Sequence, residues 1–155
     1  MYAADSHWWH YHIADITERW EGQCWSQDLS WDKPYEPLPG ITQLKLHKIG
    51  GLCTTPGEIN SGQESSSGFQ AINLAYHLGA TRVVLLGYDM RHHGKKAHWF
   101  GDHPKVAMFS NGPPTRFIKT FNTIQPKQYG LEIVNCTPGS MVTAFPFMSL
   151  DAALA

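Results

Sequence analysis

The sequence predicts a small α/β domain whose sheet is mostly parallel and flanked by helices. Apolar residues recur at helical spacing over 71–78, and Gly79 suits a left-handed helix stop. The run 83–86 follows directly, continuously apolar and β-branched at its start, as in a strand covered on both faces. A helix leading straight into such a strand is typical of parallel α/β layers. With 155 residues, of which 42% are hydrophobic, we expect a single domain over 1–155.

The opening of the chain predicts a strand end at 2–4 and then a helix. Asp5 or Ser6 is a suitable cap, and Gly22 is a suitable end. The helix itself is indicated by apolar side chains at helical spacing, which are Trp9, Ile13, Ile16 and Trp20.

The next stretch is predicted to be mostly loop. Residues 23–40 are rich in Trp, Asp and Pro and follow neither period, which indicates a packed loop. Residues 41–46 predict a short strand. Residues 50–68 are rich in Gly and Ser, which indicates a long loop that is flexible or shaped by a ligand, and Ser67 or Gly68 is expected to cap the following helix.

The second half continues the pattern of helices and strands. A long loop is predicted over 91–114, and a helix over 117–124 that Pro126 ends or bends. A strand over 131–134 and a short terminal helix starting at 149–151 complete the domain.

Composition excludes several classes of protein. Charged residues are only 16% of the chain, and Gly and Pro are frequent, so disorder and coiled coil are not expected. No apolar run approaches the roughly 20 residues that span a bilayer, and no leader is recognised, so we expect a cytoplasmic protein without a membrane partner. Cys24, Cys53 and Cys136 are widely spaced and form no CxxC pair, which predicts buried thiols rather than disulfides or a zinc knuckle.

Charge is distributed unevenly. Residues 1–36 carry seven acids against two bases, whereas 91–127 carry seven bases against Asp102 alone. A local positive field of this kind suits a phosphorylated small ligand, and a solvated basic face is the open alternative. Because the net charge is only −1, nucleic acid is not an expected partner.

The Ser/Gly loop is the first candidate site. A loop that enters a helix at Ser67 and Gly68 presents backbone N–H groups and a positive helix end, which favour phosphate. Ser61 and Gly62 lie earlier in the same loop and are included as ligand contacts. The pattern is neither a Walker A nor GxGxxG, so a simple helix cap is the alternative.

Aromatic and acidic residues supply further candidate contacts. Trp8 and Trp9 are adjacent and cannot both face one core stripe, so one ring is free to stack on a nucleobase, and Asp5 could accept from a ribose. An aromatic oligomer contact is the alternative. Tyr88 and Asp89 follow a strand at its carboxyl end, where ligands of open α/β sheets bind.

Four of the nine histidines fall within 92–103. Phosphate and base contacts are favoured there, by His98 and His103 together with Trp99 and Asp102. A metal would need His98, Asp102 and His103 to converge, which spacing does not establish, and solvent-facing histidines are also possible. We predict no metal and no cofactor.

The segment 67–90 resembles the SG-x-x-A…LG-x-x-x-(I/V)-x-L-x-G-x-D pattern of small Rossmann-like proteins of phages and prophages. Residues 2–9 and 97–104 are similar to the same group. More remotely, the segment resembles archaeal hydroxymethyl-dihydropterin pyrophosphokinases and bacterial sialyltransferases that use CMP-sialic acid. Members of the phage group begin with a further strand and helix, so a first βα unit is expected to be absent here.

The resemblance implies a Rossmann-like fold and nucleotide binding at the Ser-Gly helix start. In the sialyltransferases a loop histidine assists transfer, and His98 and His103 are the matching catalytic candidates if this chain is an enzyme. Two functions follow. One is capture of a signalling nucleotide or ADP-ribose relative, in the host cytosol if the chain is phage-encoded, and the other is group transfer from an activated nucleotide. We also expect a homo-oligomer, which would cover sheet edges and exposed tryptophans.

Overall fold

The described part of the chain is built from short helices and short parallel strands. A computed structural model describes residues 1–27, 39–61, 66–92, 94 and 114–155. The elements are α1 (Ser6–Arg19), β1 (Cys24–Gln27), β2 (Ile41–His47), β3 (Glu58–Asn60), α2 (Ser67–His77), β4 (Arg82–Leu85), α3 (Ile118–Phe121), β5 (Glu132–Asn135) and α4 (Leu150–Leu154), with 3-10 turns at Pro114–Phe117 and Pro126–Tyr129.

The described strands form two parallel sheets. One has the order β1-β2-β3, and the other pairs β4 with β5. Tyr2 extends the first sheet through a parallel bridge to Trp25, and Phe147 extends the second through a bridge to Asn135. Short parallel sheets flanked by helices confirm the predicted α/β class, and the topology is consistent with a small Rossmann-like fold.

Capping side chains define where the main helices begin. Asp5 caps α1 by accepting from the His7 amide at 3.0 Å. The cap of α2 is Ser66, which accepts from the Phe69 amide at 3.3 Å, so the predicted cap at Ser67 or Gly68 was wrong by one or two residues. Gly79 has a φ of 83°, which confirms the left-handed residue expected after α2.

Two strands lie where the sequence predicted only loop. β1 falls within 23–40 and β3 within 50–68. Both are four residues or fewer, too short to display a period, and they form because β2 offers a partner on each side. β4 lies where it was expected, and both of its faces are packed: Val83 lies against the cluster that includes Ile133, and Val84 against the cluster of Val134, Cys136 and Ala153, each half-buried.

The main core lies between α2, α3 and the sheet of β4 and β5. Its buried members are Leu52, Phe69, Ile72, Leu85, Phe121, Ile124, Leu131, Ile133, Val142 and Phe145. All three cysteines are free thiols, with Cys53 and Cys136 buried and Cys24 half-buried. In the described part of the chain, no helix combines the length and the apolar character needed to cross a membrane.

Candidate functional site

The starts of α1 and α2 lie side by side at the carboxyl edge of the first sheet. The Ala4 amide donates to Ser67 Oγ at 3.4 Å, which joins the two helix starts directly. Behind this contact, the Tyr2 hydroxyl donates to Gln70 Oε1 at 2.9 Å, and Gln70 Nε2 donates to Gln27 Oε1 at 2.8 Å. These bonds tie the segment before α1 and the carboxyl end of β1 to the first turn of α2, and together they fix the position of this helix start.

Tyr88, which follows β4, packs against the same helix start. Its hydroxyl donates to the Gly68 carbonyl at 2.9 Å, and a Cβ at Gly68 would lie 3.0 Å from the Tyr88 ring. A larger residue at position 68 would therefore press against the Tyr88 ring, which would have to shift slightly. Burial raises the pKa of Tyr88 to about 12, which keeps the hydroxyl a neutral donor near neutral pH. Asp89 is half-buried beside it and accepts from the Met141 amide through its carbonyl at 2.9 Å.

The two helix starts differ in charge. α1 is capped by the exposed carboxylate of Asp5, which also lies 3.6 Å from His7 Nδ1. α2 has no acidic residue in its first turn and is capped by the neutral hydroxyl of Ser66. The leading amides of a helix have no partner within it, and the helix dipole is positive at that end. The start of α2, at Ser67 and Gly68, is therefore the end that favours an anion.

Other predicted contacts are engaged in packing. Trp9 is 0% exposed, and its indole Nε1 donates to the Ala3 carbonyl at 2.9 Å, so it offers a ligand no exposed face. Trp8 is half-buried and meets the Trp9 ring edge-on at 5.1 Å, which leaves Trp8 as the aromatic candidate of the pair. Ser61 is buried, and both its amide and its hydroxyl donate to the His47 carbonyl.

The remaining candidates lie outside the described residues: Gly62, His98, Trp99, Asp102 and His103. Their proposed roles in ligand binding, catalysis or metal binding stay predictions.

The sequence analysis missed several polar residues that the fold brings together. Gln70 and Asn73 are buried on α2, although their spacing gives no sign of it. The donor atoms of His47, Cys53 and Glu58 all lie within 4.8 Å of one another. The register of β2 with β3 brings this cluster together. The cluster could not be predicted, because β3 itself was not predicted.

No family model, curated protein or solved structure gives a significant match to this chain, so the resemblance to the phage and prophage group stays a prediction.

Proposed function

We propose that this protein binds a phosphorylated, nucleotide-type small molecule at the carboxyl edge of its first sheet, with a phosphate at the start of α2. The observation that carries the proposal is the meeting of two helix starts, joined from Ala4 to Ser67, beneath a tyrosine that follows the next strand. In open α/β sheets ligands bind outside the carboxyl ends of the strands. The α2 start combines this position with a positive dipole and a first turn that contains no acidic residue.

Neighbouring side chains supply the remaining chemistry of a nucleotide site. Asp5 is exposed beside the α2 start and is able to accept hydrogen bonds from ribose hydroxyls. Trp8 is half-buried one turn further along α1 and offers a ring for base stacking. We favour capture of the ligand over its conversion, because the hydroxyls of Ser66 and Ser67 at the α2 start accept from the Phe69 and Ala4 amides and so serve to position the helix start.

We include self-association in the proposal. Tyr11 on α1 and Trp20, the residue that ends this helix, are 54% and 45% exposed, and exposed aromatic rings favour contact with a partner. A second copy of the chain covering this helix would account for that exposure.

The direct test is a thermal-shift panel of ADP-ribose, cyclic AMP, ADP and CMP, with adenosine as the unphosphorylated control. We expect stabilisation by at least one phosphorylated compound and none by adenosine, because the α2 start recognises the phosphate. The complex is then denatured and the released ligand identified by mass. Intact ligand at stoichiometric amounts supports capture, whereas an altered nucleotide would instead indicate group transfer.

Placing a negative charge at the α2 start tests the location. Ser67→Asp is expected to weaken binding of the selected ligand about tenfold or more, equivalent to about 1.4 kcal/mol, without destabilising the helix. Ser149→Asp is the matched control, since it makes the same charge change at the cap of α4. Equal affinity in both variants would place the phosphate elsewhere.

A further inference from the structure

Three metal-binding side chains converge where the chain passes from β2 to β3. Glu58 pairs with Lys45 in the parallel register, and His47 lies two residues further along β2 on the same face. His47 Nε2 contacts Glu58 Oε2 directly, and Cys53 Sγ lies 4.0 Å from that same oxygen. All three donor atoms are within 4.8 Å of one another, so small side-chain movements bring them to the spacing of ligands around one ion.

The backbone holds these donors in place before any ion binds. The Cys53 amide donates to Asn73 Oδ1 at 2.9 Å, and Asn73 Nδ2 donates to the Cys53 carbonyl at 2.9 Å. Asn73 is fully buried on α2, so the position of Cys53 is fixed from the helix layer. His47 is fixed by its carbonyl, which accepts from the Ser61 amide at 2.7 Å. Such preorganisation lowers the ordering cost of binding.

The donor set selects the class of ion. A thiolate, an imidazole and a carboxylate together suit Zn²⁺ or the similar Co²⁺, whereas Mg²⁺ and Ca²⁺ prefer oxygen ligands. Cys53 is 2% exposed, while the side chains of Glu58 and His47 are 17% and 39% exposed, so the cluster opens to solvent on its histidine side. A tetrahedral ion held by three protein ligands keeps one position for water or a ligand on that side.

We propose that His47, Cys53 and Glu58 form a binding site for a zinc-class divalent ion. Lys45 Nζ lies 3.7 Å from Glu58 Oε1 on a side chain that is 73% exposed, so it can swing into water when the ion binds. The ion would link β2, the following loop and β3. The proposal does not depend on nucleotide binding at the α2 start.

Cobalt spectroscopy tests the site, because cobalt bound to a thiolate shows a charge-transfer band that cobalt bound only to histidines lacks. The experiment uses the Cys24→Ala, Cys136→Ala chain, in which Cys53 is the sole thiol. We expect saturation at one Co²⁺ per chain, with the band present and abolished by added Zn²⁺. Adding Cys53→Ser should remove the band. Saturable binding without the band, or no stoichiometric uptake, would overturn the proposal.

Variants of the other two ligands test the site independently, so the result does not depend on whether the cysteine variant folds. His47→Gln and Glu58→Gln, each with Cys53 intact, should weaken Zn²⁺ binding at least about tenfold in competition with a chromophoric chelator. His10→Gln, on the exposed surface of α1, is the control and should bind as the wild type does. Circular dichroism confirms that each variant is folded. Unchanged Zn²⁺ affinity in folded His47→Gln would also overturn the proposal.

Discussion

Gly51 shows how a single residue fixes the loop after β2. Its φ of 74° is left-handed, and its amide donates to Thr123 Oγ1 at 3.0 Å. A Cβ there would collide with the Tyr129 hydroxyl, which itself accepts from the Leu52 amide at 2.9 Å. The position therefore requires glycine both for its backbone conformation and for space.

Gly51→Ala is expected to destabilise the protein by about 3 kcal/mol, from left-handed backbone strain plus displacement of Tyr129. Gly57→Ala is the matched control, because Gly57 has a φ of 79° and nothing within 4 Å of an added Cβ. It should cost only about 1 kcal/mol. Urea unfolding measures both. The loss in free energy of unfolding caused by Gly51→Ala should be smaller when Tyr129→Phe is also present. Equal losses for the two glycine variants would contradict a clash between the added Cβ and the Tyr129 hydroxyl.

Asn73 is a buried polar residue whose side chain bonds three backbone groups. It accepts from the amides of Cys53 and Asn60 and donates to the Cys53 carbonyl. Asn73→Ala leaves three buried groups without these bonds and is expected to cost about 3 kcal/mol or more. Asn122→Ala, at an exposed helix end, should stay within about 0.5 kcal/mol of wild type. A loss below about 1 kcal/mol for Asn73→Ala would show that the network is dispensable.

The sequence identified the candidate residues that lie at the ends of predictable elements and missed those that lie within a helix. Ser67, Gly68 and Tyr88 stand at the ends of elements that periodicity located well, so their neighbourhood could be predicted. Asn73 and Gln70 are polar residues within a helix, and only the packing of β3 and of Tyr2 against α2 reveals that they are buried. Such contacts come from tertiary structure and leave no local pattern.

Among the elements, the junction of β4 with α2 carries a pH dependence through Tyr88. Burial raises its pKa to about 12 from 10.0, so the folded state holds a proton that the unfolded state releases first. The contribution of this proton to the free energy of unfolding is fully present below about pH 10. It falls as pH rises towards about 12, and the total loss is about 3 kcal/mol. Burial raises the pKa of Tyr2 as well, which acts in the same direction.

Urea unfolding at a series of alkaline pH values tests this dependence. Tyr88→Phe should be less stable than wild type at pH 8 by about 1 kcal/mol, because the bond to the Gly68 carbonyl is lost. Above about pH 10 it should lose less stability than wild type, and a Tyr2→Phe, Tyr88→Phe double variant should lose less still. Parallel pH profiles for wild type and Tyr88→Phe would contradict the assignment.

Element length decides which elements were predictable. α1, α2, β2 and α4 were located from period, caps and glycine stops, and the structure confirms them. β1 and β3 have four and three residues, and pairing with β2 rather than an internal pattern makes them strands. In such short segments β-propensity is a weak determinant of structure, and pairing with a neighbouring strand determines whether a strand forms.

For the whole molecule, the parallel arrangement gathers separate parts of the chain at one edge. Every described pairing is parallel, so each strand of a sheet ends at the same side and the following segments meet there. This places the starts of α1 and α2 together although they are far apart in sequence, and the Tyr88 hydroxyl reaches them from the second sheet. The sheet direction could be predicted from a helix leading into a strand, but the side-chain contacts that join these segments could not.

An apolar groove offers a competing location for a ligand. It has a volume of about 350 Å³ and lies along α2, lined by residues that include Trp20, Trp25 and Leu78. Its lining is mostly apolar, and the Met1 ammonium within it already donates to the Gln23 carbonyl at 2.7 Å, so the groove suits an apolar group better than a phosphate.

Amide chemical-shift mapping with the phosphorylated compound selected by the thermal-shift panel distinguishes these locations. We expect the largest shifts at Ser67 and Gly68, with smaller ones at Ala4 and Asp5. Shifts centred on Trp20 and Leu78, or an unchanged spectrum at saturating ligand, would contradict phosphate binding at the start of α2.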